Sequence, residues 1–535
     1  MDQKKEGISH PLLTTLLMIA VTLGLSVIVA RQFRPQLECL WPIRTNFRQA
    51  PSEDRYTAAP DPGNLPVSRG PSDTIGLDRM LALRRLLESG RFEALNTELA
   101  SYQNSLEEDP LRESKLFNAY NALAITDPRY EELIHKWIDA FPGHYQPHLV
   151  MGKYYYAKGW QSRGTKWRKE TPDEQIEAMH RYFSKSEQHL KQALIIHPNL
   201  IVAYNTLIGI YNTDGDPESE NSIIAKSMEL FPYSYQIGST ASWAKQPRWG
   251  GSYAEMGRLA KAAEDHADAN PRLTLLYGFI YYDQGRVLVR NKKYREAKAL
   301  FEKALTYGDC PSFYYEIARV SFFDLKDYNA ALASINKCIE LGPPASDNYL
   351  IRARIYFQSE VYTASMENLT SAATIDPWDE DVRQWRQWAS KNLLNQGHRL
   401  FKTDLHLAIQ KYTLSLEFDP ANYESCYWKG VANYRLKALD AALSDFISAI
   451  DLNPQHFVSY RMIDTVLARN GRWDEIIGYW NLFLEHKPDH AGAYYERSGT
   501  YYHKGDLKSA LADLEQACRS GSRDACRQYR KVQPR

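Results

Sequence analysis

Three short stretches carry residue types that could do chemistry. Arg163-Gly164 stands between Trp160 and Trp167. A guanidinium framed by indoles is a planar fork able to take a carboxylate or phosphate bidentately. The same residues equally describe an arginine stacked on tryptophan and bonded to helix-end carbonyls. Trp249-Gly250-Gly251-Ser252 sets two glycines ahead of a helix start, where backbone amides can cradle an anion. Ser252 and Glu255 also have capping-box spacing, which would claim those amides for the helix. Cys518 and Cys526 bracket the turn Arg519-Ser520-Gly521-Ser522. Adjacent helix ends can bring two such Cα atoms within about 6 Å, close enough for a disulfide; the alternative is a pair of reduced thiols facing a core. His135, His144 and His148 lie near one another in sequence, but Pro147 breaks the helical face that a metal pair four residues apart requires. The chain contains no nucleophile elbow, phosphate-binding loop or His-Glu-x-x-His motif. Acids such as Glu131-Glu132 and Glu107-Glu108-Asp109 read as solvated helix faces. No catalytic constellation, metal site or cofactor motif emerges, and the expectation is a protein that is not an enzyme.

The elements that must position these residues are helices. From Tyr423 to His456 apolar side chains recur at three- and four-residue steps (Val431, Tyr434, Leu436, then Leu439, Ala442, Leu443, Phe446, Ala449, Ile450), and Pro454 closes the unit. Pro420, Pro454 and Pro488 are spaced by 34 residues, as are Pro198 and Pro232, and Pro343 and Pro377. A helix-turn-helix period of that length is the signature of tetratricopeptide repeats. The fold class expected is all-α, a solenoid of such repeats. Its units fall at 201–234, 312–345, 346–379, 389–422, 423–456, 457–490 and 491–524, with looser repeats within 199–311, padding at 380–388, and a C-terminal capping helix and tail at 525–535. Residues 73–198 read as an irregular helical domain, opened by a cap at Ser72 or Asp73 and containing a Thr171-Pro172-Asp173-Glu174 capping box.

Ahead of the helices, residues 11–30 carry no charge and end at Arg31. Twenty helical residues span about 30 Å, the thickness of a bilayer core, so a transmembrane anchor behind a short tail at 1–10 is expected; the alternative is a long signal peptide, for which Ile28-Val29-Ala30 is only a loose match to a cleavage site. Residues 31–72 carry Pro35, Pro42, Pro51, Pro60, Pro62, Pro66 and Pro71 and read as an extended, flexible linker. Cys39 within it lacks a lipoprotein processing context. Lys4 and Lys5 ahead of the span favour an exporting signal anchor in the inner (cytoplasmic) membrane, with periplasmic repeats. Arg31, Arg34, Arg44 and Arg48 after it pull the other way, toward cytoplasmic repeats.

Lys plus Arg equal Asp plus Glu at 65 each, which argues against a nucleic-acid partner needing a basic stripe. Six cysteines in 535 residues do not form a disulfide scaffold; Cys338 and Cys426 fall at small-residue repeat positions and read as core.

Two stretches resemble an uncharacterised bacterial family, a domain of unknown function whose members end in tetratricopeptide-like helices. They are Trp160 to Thr165 with the helix running on to Pro198, and Pro247 to Tyr253. The resemblance covers about 75 to 270 and implies Arg163-Gly164 and Trp249-Gly250-Gly251 as landmarks, with no activity attached. The later repeats resemble the tetratricopeptide superfamily, which implies protein–protein interaction. The Cys518–Cys526 spacing is similar to that of Sel1-like repeats, whose pairs are bridged.

In a tetratricopeptide array the first helix of each unit lines a concave groove. In this register the groove presents Arg354, Tyr427, Tyr434, Arg435, Arg461, Arg469, Tyr495, Tyr502 and His503. Arginine and aromatic anchors dominate interface energetics, so the groove favours an extended acidic or aromatic peptide of a protein partner. The carboxylate clamp of chaperone-tail binders is not supported, because its Lys and Asn positions here hold pairs such as Tyr427/Val431 and Arg461/Thr465. The expected function is a membrane-anchored interaction scaffold. The alternatives are an enzyme with a site near Arg163 and Trp249, and a structural envelope protein.

Overall fold

The computed structural model describes residues 65, 66, 68, 74–164 and 170–532. The anchor at 11–30, Cys39, Trp167 and the caps expected at Ser72 and Asp73 lie outside the described residues. Regular structure among the described residues is helical throughout, and none of these helices is long and apolar enough to cross a membrane. The chain divides into two compact units, residues 1–345 and 346–535.

The first unit contains α1 (Leu77–Glu88), α2 (Phe92–Glu108), α3 (Glu113–Leu123), α4 (Pro128–Ala140), α5 (Tyr145–Arg163), α6 (Asp173–Ile196), α7 (Ile201–Asp214) and α8 (Pro217–Leu230). It continues through α9 (Tyr235–Ala244), α10 (Tyr253–Glu264), α11 (Leu275–Arg290), α12 (Tyr294–Ala304), α13 (Pro311–Val320) and α14 (Tyr328–Leu341). α5 and α6 form the longest antiparallel contact of the unit, tied by Ser186 Oγ donating to the Gly152 carbonyl at 2.6 Å. The core around α9 to α13 holds Met256, Leu276, Phe279, Phe301 and Phe313 at 3% exposure or less. Each such side chain removed from water contributes about 1.5–3 kcal/mol.

Three local expectations are corrected here. α1 starts at Leu77 with Gly76, not Ser72 or Asp73, at its N-cap. α6 starts at Asp173 with Pro172 itself at the N-cap and no side-chain cap there, so Pro172 precedes the helix instead of opening it. The end of the Pro-rich stretch is tied to the folded body. Leu65 packs on the α9–α13 core, and the Ser68 carbonyl accepts from the Asp309 amide at 3.0 Å. An apolar side chain beside a satisfiable carbonyl is enough to fix it, whatever the proline content.

The second unit contains α15 (Ser346–Gln358), α16 (Tyr362–Ile375), α17 (Glu380–Leu400), α18 (Leu405–Phe418), α19 (Tyr423–Arg435) and α20 (Leu439–Leu452). α21 (Phe457–Ala468), α22 (Trp473–His486), α23 (Ala491–Lys504), α24 (Leu507–Arg519) and α25 (Arg523–Val532) complete it. Helices pack in sequential pairs, and α25 lies against α24. The residues read as padding at 380–388 lengthen α17 at its start, where Asp379 accepts from the amides of Asp381 and Val382. Four of the five first helices, all but α17, hand over to the second through a left-handed residue at one repeat position: Glu360, Lys437, Gly471 and Gly505 have φ of 59°, 63°, 65° and 91°. Recurrence of that turn keeps successive pairs in register.

Candidate partner-binding face

The first helices of the second unit are held in rotation by small residues and by polar ties. A Cβ on Gly430 would come within 2.7 Å of the Phe446 ring, so the glycine lets α20 press its phenylalanine onto α19. Sixteen residues separate the partners of a recurring tie from first to second helix. Arg352 donates to Asn368 at 2.7 Å, Lys429 to Asp445 at 2.7 Å, and Arg497 to Asp513 at 2.7 Å.

The predicted groove residues divide by depth. Arg435 and Arg469 are exposed. Arg435 lies over the Phe401 ring at 4.6 Å. Arg469 lies over the Tyr434 ring at 5.1 Å and donates to the Tyr434 hydroxyl at 2.7 Å. Arg461 is paired with Glu496 at 2.9 Å. Burial pushes the Glu496 carboxyl up, against the pull of Arg461, and nearby Asp464 raises it further. Asp464 is itself raised by burial while accepting from Trp480 Nε1 at 2.8 Å. Tyr502 is 63% exposed, and exposed His503 stacks on Trp473 with centroids 5.5 Å apart.

Four others are half-buried and are corrected as open anchors: Tyr434, which packs on the core holding Phe446 and Trp480, and the three that follow. Tyr427 is half-buried against Phe446 and His456, at centroid distances of 5.9 and 5.1 Å. Tyr495 is half-buried in the C-terminal cluster with Leu514 and Ala525, its hydroxyl accepting from Gln528 at 2.9 Å. Arg354 is half-buried over the Trp385 ring at 4.9 Å; burial and Asp379 push the nearby Asp347 and Asp381 carboxyls up, and Arg354 opposes that rise without cancelling it. Trp385 covers Arg354 because α17 is extended at its start. Nothing in the repeat period reveals that cover.

The family landmarks are packed corners. Arg163 ends α5 at 5% exposure and donates from Nη1 to the Gly164 carbonyl at 3.1 Å, with Gly164 at φ 69°. Trp160 packs on Phe183 at 5.3 Å. Trp249 lies in the 3-10 turn Pro247–Trp249, and Gly250 follows in the left-handed region. A Cβ on Gly251 would collide with the Lys245 carbonyl. The anion nest does not form as anticipated: Ser252 Oγ accepts from the Glu255 amide at 3.2 Å and donates to its carboxylate at 2.9 Å.

Sequence reasoning missed the polar core beside that turn. Arg248, its side chain 5% exposed, pairs with Asp283 at 3.1 Å and donates to Gln246 Oε1 at 2.7 and 2.5 Å. Tyr253 donates to Asp283 at 3.0 Å. Glu316 takes Arg319 at 2.8 Å and Arg286 at 3.7 Å. Burial, then the neighbouring Arg286, pushes the Arg248 guanidinium down to about 10. A second missed contact joins His148 and His189 through their Nδ1 atoms at 3.1 Å. Among the described residues no group of three or more His, Cys, Asp and Glu side chains is placed to hold a metal ion.

At the C-terminus, Cys518 and Cys526 are joined in a disulfide with Cα atoms 4.6 Å apart. Cys310, Cys338 and Cys426 are free and buried.

Comparison with known families matches tetratricopeptide repeats to residues 282–374, 465–525 and 423–456. The chain carries tetratricopeptide repeats. Residues 79–227 of this repeat protein match a domain of unknown function (DUF4034). That stretch contains Arg163 and Gly164, while Trp249 to Gly251 lie beyond it. Tetratricopeptide repeat protein 16 of Mus musculus is 23% identical over 255 residues, 45% of this chain and 33% of its own length. The small glutamine-rich tetratricopeptide repeat-containing protein 2 of Saccharomyces cerevisiae is 28% identical over 129 residues, 24% of this chain and 35% of its own. The chain thus spans about a third of the length of the curated relatives it matches. Among solved structures, MamA is 18% identical with a TM-score of 0.23, covering 36% of this chain and 96% of its own. YrrB, described as a repeat protein with an unusual peptide-binding site, is 19% identical with a TM-score of 0.23, covering 35% and 92%.

Proposed function

We propose that this repeat protein is a non-catalytic, membrane-anchored scaffold that captures a partner protein or peptide on the first-helix face of its second unit. One observation carries the reading: exposed arginines and aromatics recur at the repeat interval on successive first helices, as Arg435, Arg469, Tyr502 and His503. Such side chains supply hot spots at interfaces, and their recurrence suits a partner that runs across several repeats. The uncharged segment at 11–30 supports the anchor. The Cys518–Cys526 disulfide supports repeats on the periplasmic side, since such bonds persist in oxidising compartments.

A photo-crosslinking residue in place of Tyr502 tests the face, with the same residue in place of exposed Leu482, on a second helix, as control. A discrete adduct formed from position 502 and absent from position 482 is expected. Equal labelling from both positions, or none from either, overturns the reading. Protease added to intact and to osmotically opened cells tests the topology. Cleavage of the repeats only after opening is expected, and repeats that resist until the inner membrane is broken place the array in the cytoplasm.

A further inference from the structure

Several arginines on or near the first helices of the second unit already hold a carboxylate. Arg461 is paired with Glu496 at 2.9 Å, Arg472 with Glu475 at 2.6 Å, and Arg497 with Asp513 at 2.7 Å. Arg435 and Arg469 differ. Both are exposed, and neither has an ion pair with any described residue. Each instead lies against an aromatic ring of the preceding repeat, its guanidinium carbon 4.6 Å from the Phe401 centroid for Arg435 and 5.1 Å from the Tyr434 centroid for Arg469. Tyr434 is the chain neighbour of Arg435, so the two rungs are contiguous: ring, guanidinium, ring, guanidinium.

A cation–π contact restrains a guanidinium without consuming all of its five N–H donors. A ligand that needs that fork recovers the binding energy without first ordering a long side chain. One Nη2 proton of Arg469 is taken by the Tyr434 hydroxyl, which leaves the rest of the guanidinium donors for a ligand. Charge decides the class of ligand. The two forks are unneutralised cations, while Asp464 and Glu496 sit on the same run of first helices around Arg461. A continuous phosphate backbone would be repelled by those acids. A peptide can place a carboxylate at each arginine and neutral residues elsewhere.

We infer that Arg435 and Arg469 form a two-rung receptor for paired carboxylates in an acidic segment of the partner protein. The inference rests on the first-helix face being the capture surface. It uses repeat positions 12 and 13, not the positions 5 and 9 of a chaperone-tail clamp.

The test is selection of a random dodecapeptide display library on the full chain, followed by anisotropy titrations with one enriched peptide. Enrichment of peptides carrying two or more Glu or Asp is expected. R435Q/R469Q should weaken the enriched peptide at least tenfold with an unchanged melting temperature, and the Glu→Gln form of the peptide should lose a similar factor on the wild-type chain but little on the variant. Enriched peptides without acidic pairs, or unchanged affinity in R435Q/R469Q, overturn the carboxylate receptor and leave the capture surface standing. No enrichment at all overturns the capture surface, and the receptor with it. Tighter binding of a single-stranded oligonucleotide than of the enriched peptide also overturns the peptide assignment.

Discussion

Arginine meets tryptophan, tyrosine or phenylalanine in both units, to opposite ends. In the first unit Arg248 and Arg286 both lie over the Trp243 ring, at 5.1 and 5.3 Å, and both are buried against carboxylates, Asp283 and Glu316. In the second unit Arg435 and Arg469 lie over rings at similar distances, yet stand in solvent with no carboxylate. Ring stacking therefore does not distinguish a structural arginine from an available one. The partner in the plane of the fork does. Where an acid occupies that plane, the arginine fixes helices; where none does, the fork is open to another molecule.

The sharpest way to test this contrast is to remove an acid from the first unit. Glu316 is shared by Arg286 and Arg319, so E316A leaves buried guanidiniums uncompensated and should cost about 3–5 kcal/mol, read as a shift of the denaturation midpoint. A cost below about 1 kcal/mol would show that solvent reaches the cluster and would erase the distinction. The disulfide comes next. C518S/C526S should destabilise the C-terminal helix pair by about 2 kcal/mol, the loop-closure scale for so short a ring, and hydrogen exchange should quicken in α25 before α19. Equal exchange with and without the bridge would mean that Ala525, Tyr529 and the Gln528–Tyr495 bond hold α25 alone.

Acidity separates the units in opposite directions. Burial, with His148, His135 and Lys185 nearby, holds His189 down to about 4, below the usual value of about 6.5. The native state then binds fewer protons than the unfolded chain, so this contribution is present at neutral pH and lost as pH falls from 6.5 toward 4. In the second unit, burial and neighbouring Asp379 push Asp347 up to about 7, from about 4 when unfolded. Its contribution is present in acid and lost as pH rises through 7. Melting curves of H189F and D347N against pH should flatten opposite limbs of the profile, and one limb flattened by both would refute the assignment. The smallest expected effect is on the stability of R435Q/R469Q: both side chains are exposed and have no ion pair with a described residue, and exposed ring contacts and hydrogen bonds contribute little, so the melting temperature should stay put.

What the sequence disclosed follows from what periodicity can encode. Tyr434 and Arg469 are one repeat apart plus one residue, so the repeat length alone placed both on the same face. Gly430 and Phe446 pack for the same reason. Arg248 and Asp283, His148 and His189, and Glu113 and Ser234 meet across separations that belong to no period. Each depends on how irregular helices stack, which no local pattern records. Arg354 was misjudged for a related cause: the nine residues before position 389 add turns to α17 and bring Trp385 over it. Tyr427 and Tyr495 occupy the expected repeat positions, but half of each ring is spent on packing between pairs.

Glu113 has a consequence for modularity. Its carboxylate, on a residue 1% exposed, accepts from Ser234 Oγ at 2.6 Å, from the Tyr235 amide at 3.0 Å and from the Gln236 amide at 3.3 Å. A side chain within the stretch matched to the domain of unknown function thus supplies acceptors for the first turn of a helix that lies past the end of that stretch. The seam between the two is chemical as well as covalent. A graft of residues 79–227 onto another repeat array would leave a buried carboxylate behind, and a repeat array cut free at 228 would carry unsatisfied amides at the start of α9. Recombination at that boundary is therefore penalised, and residue 227 is not a place where the chain divides without cost.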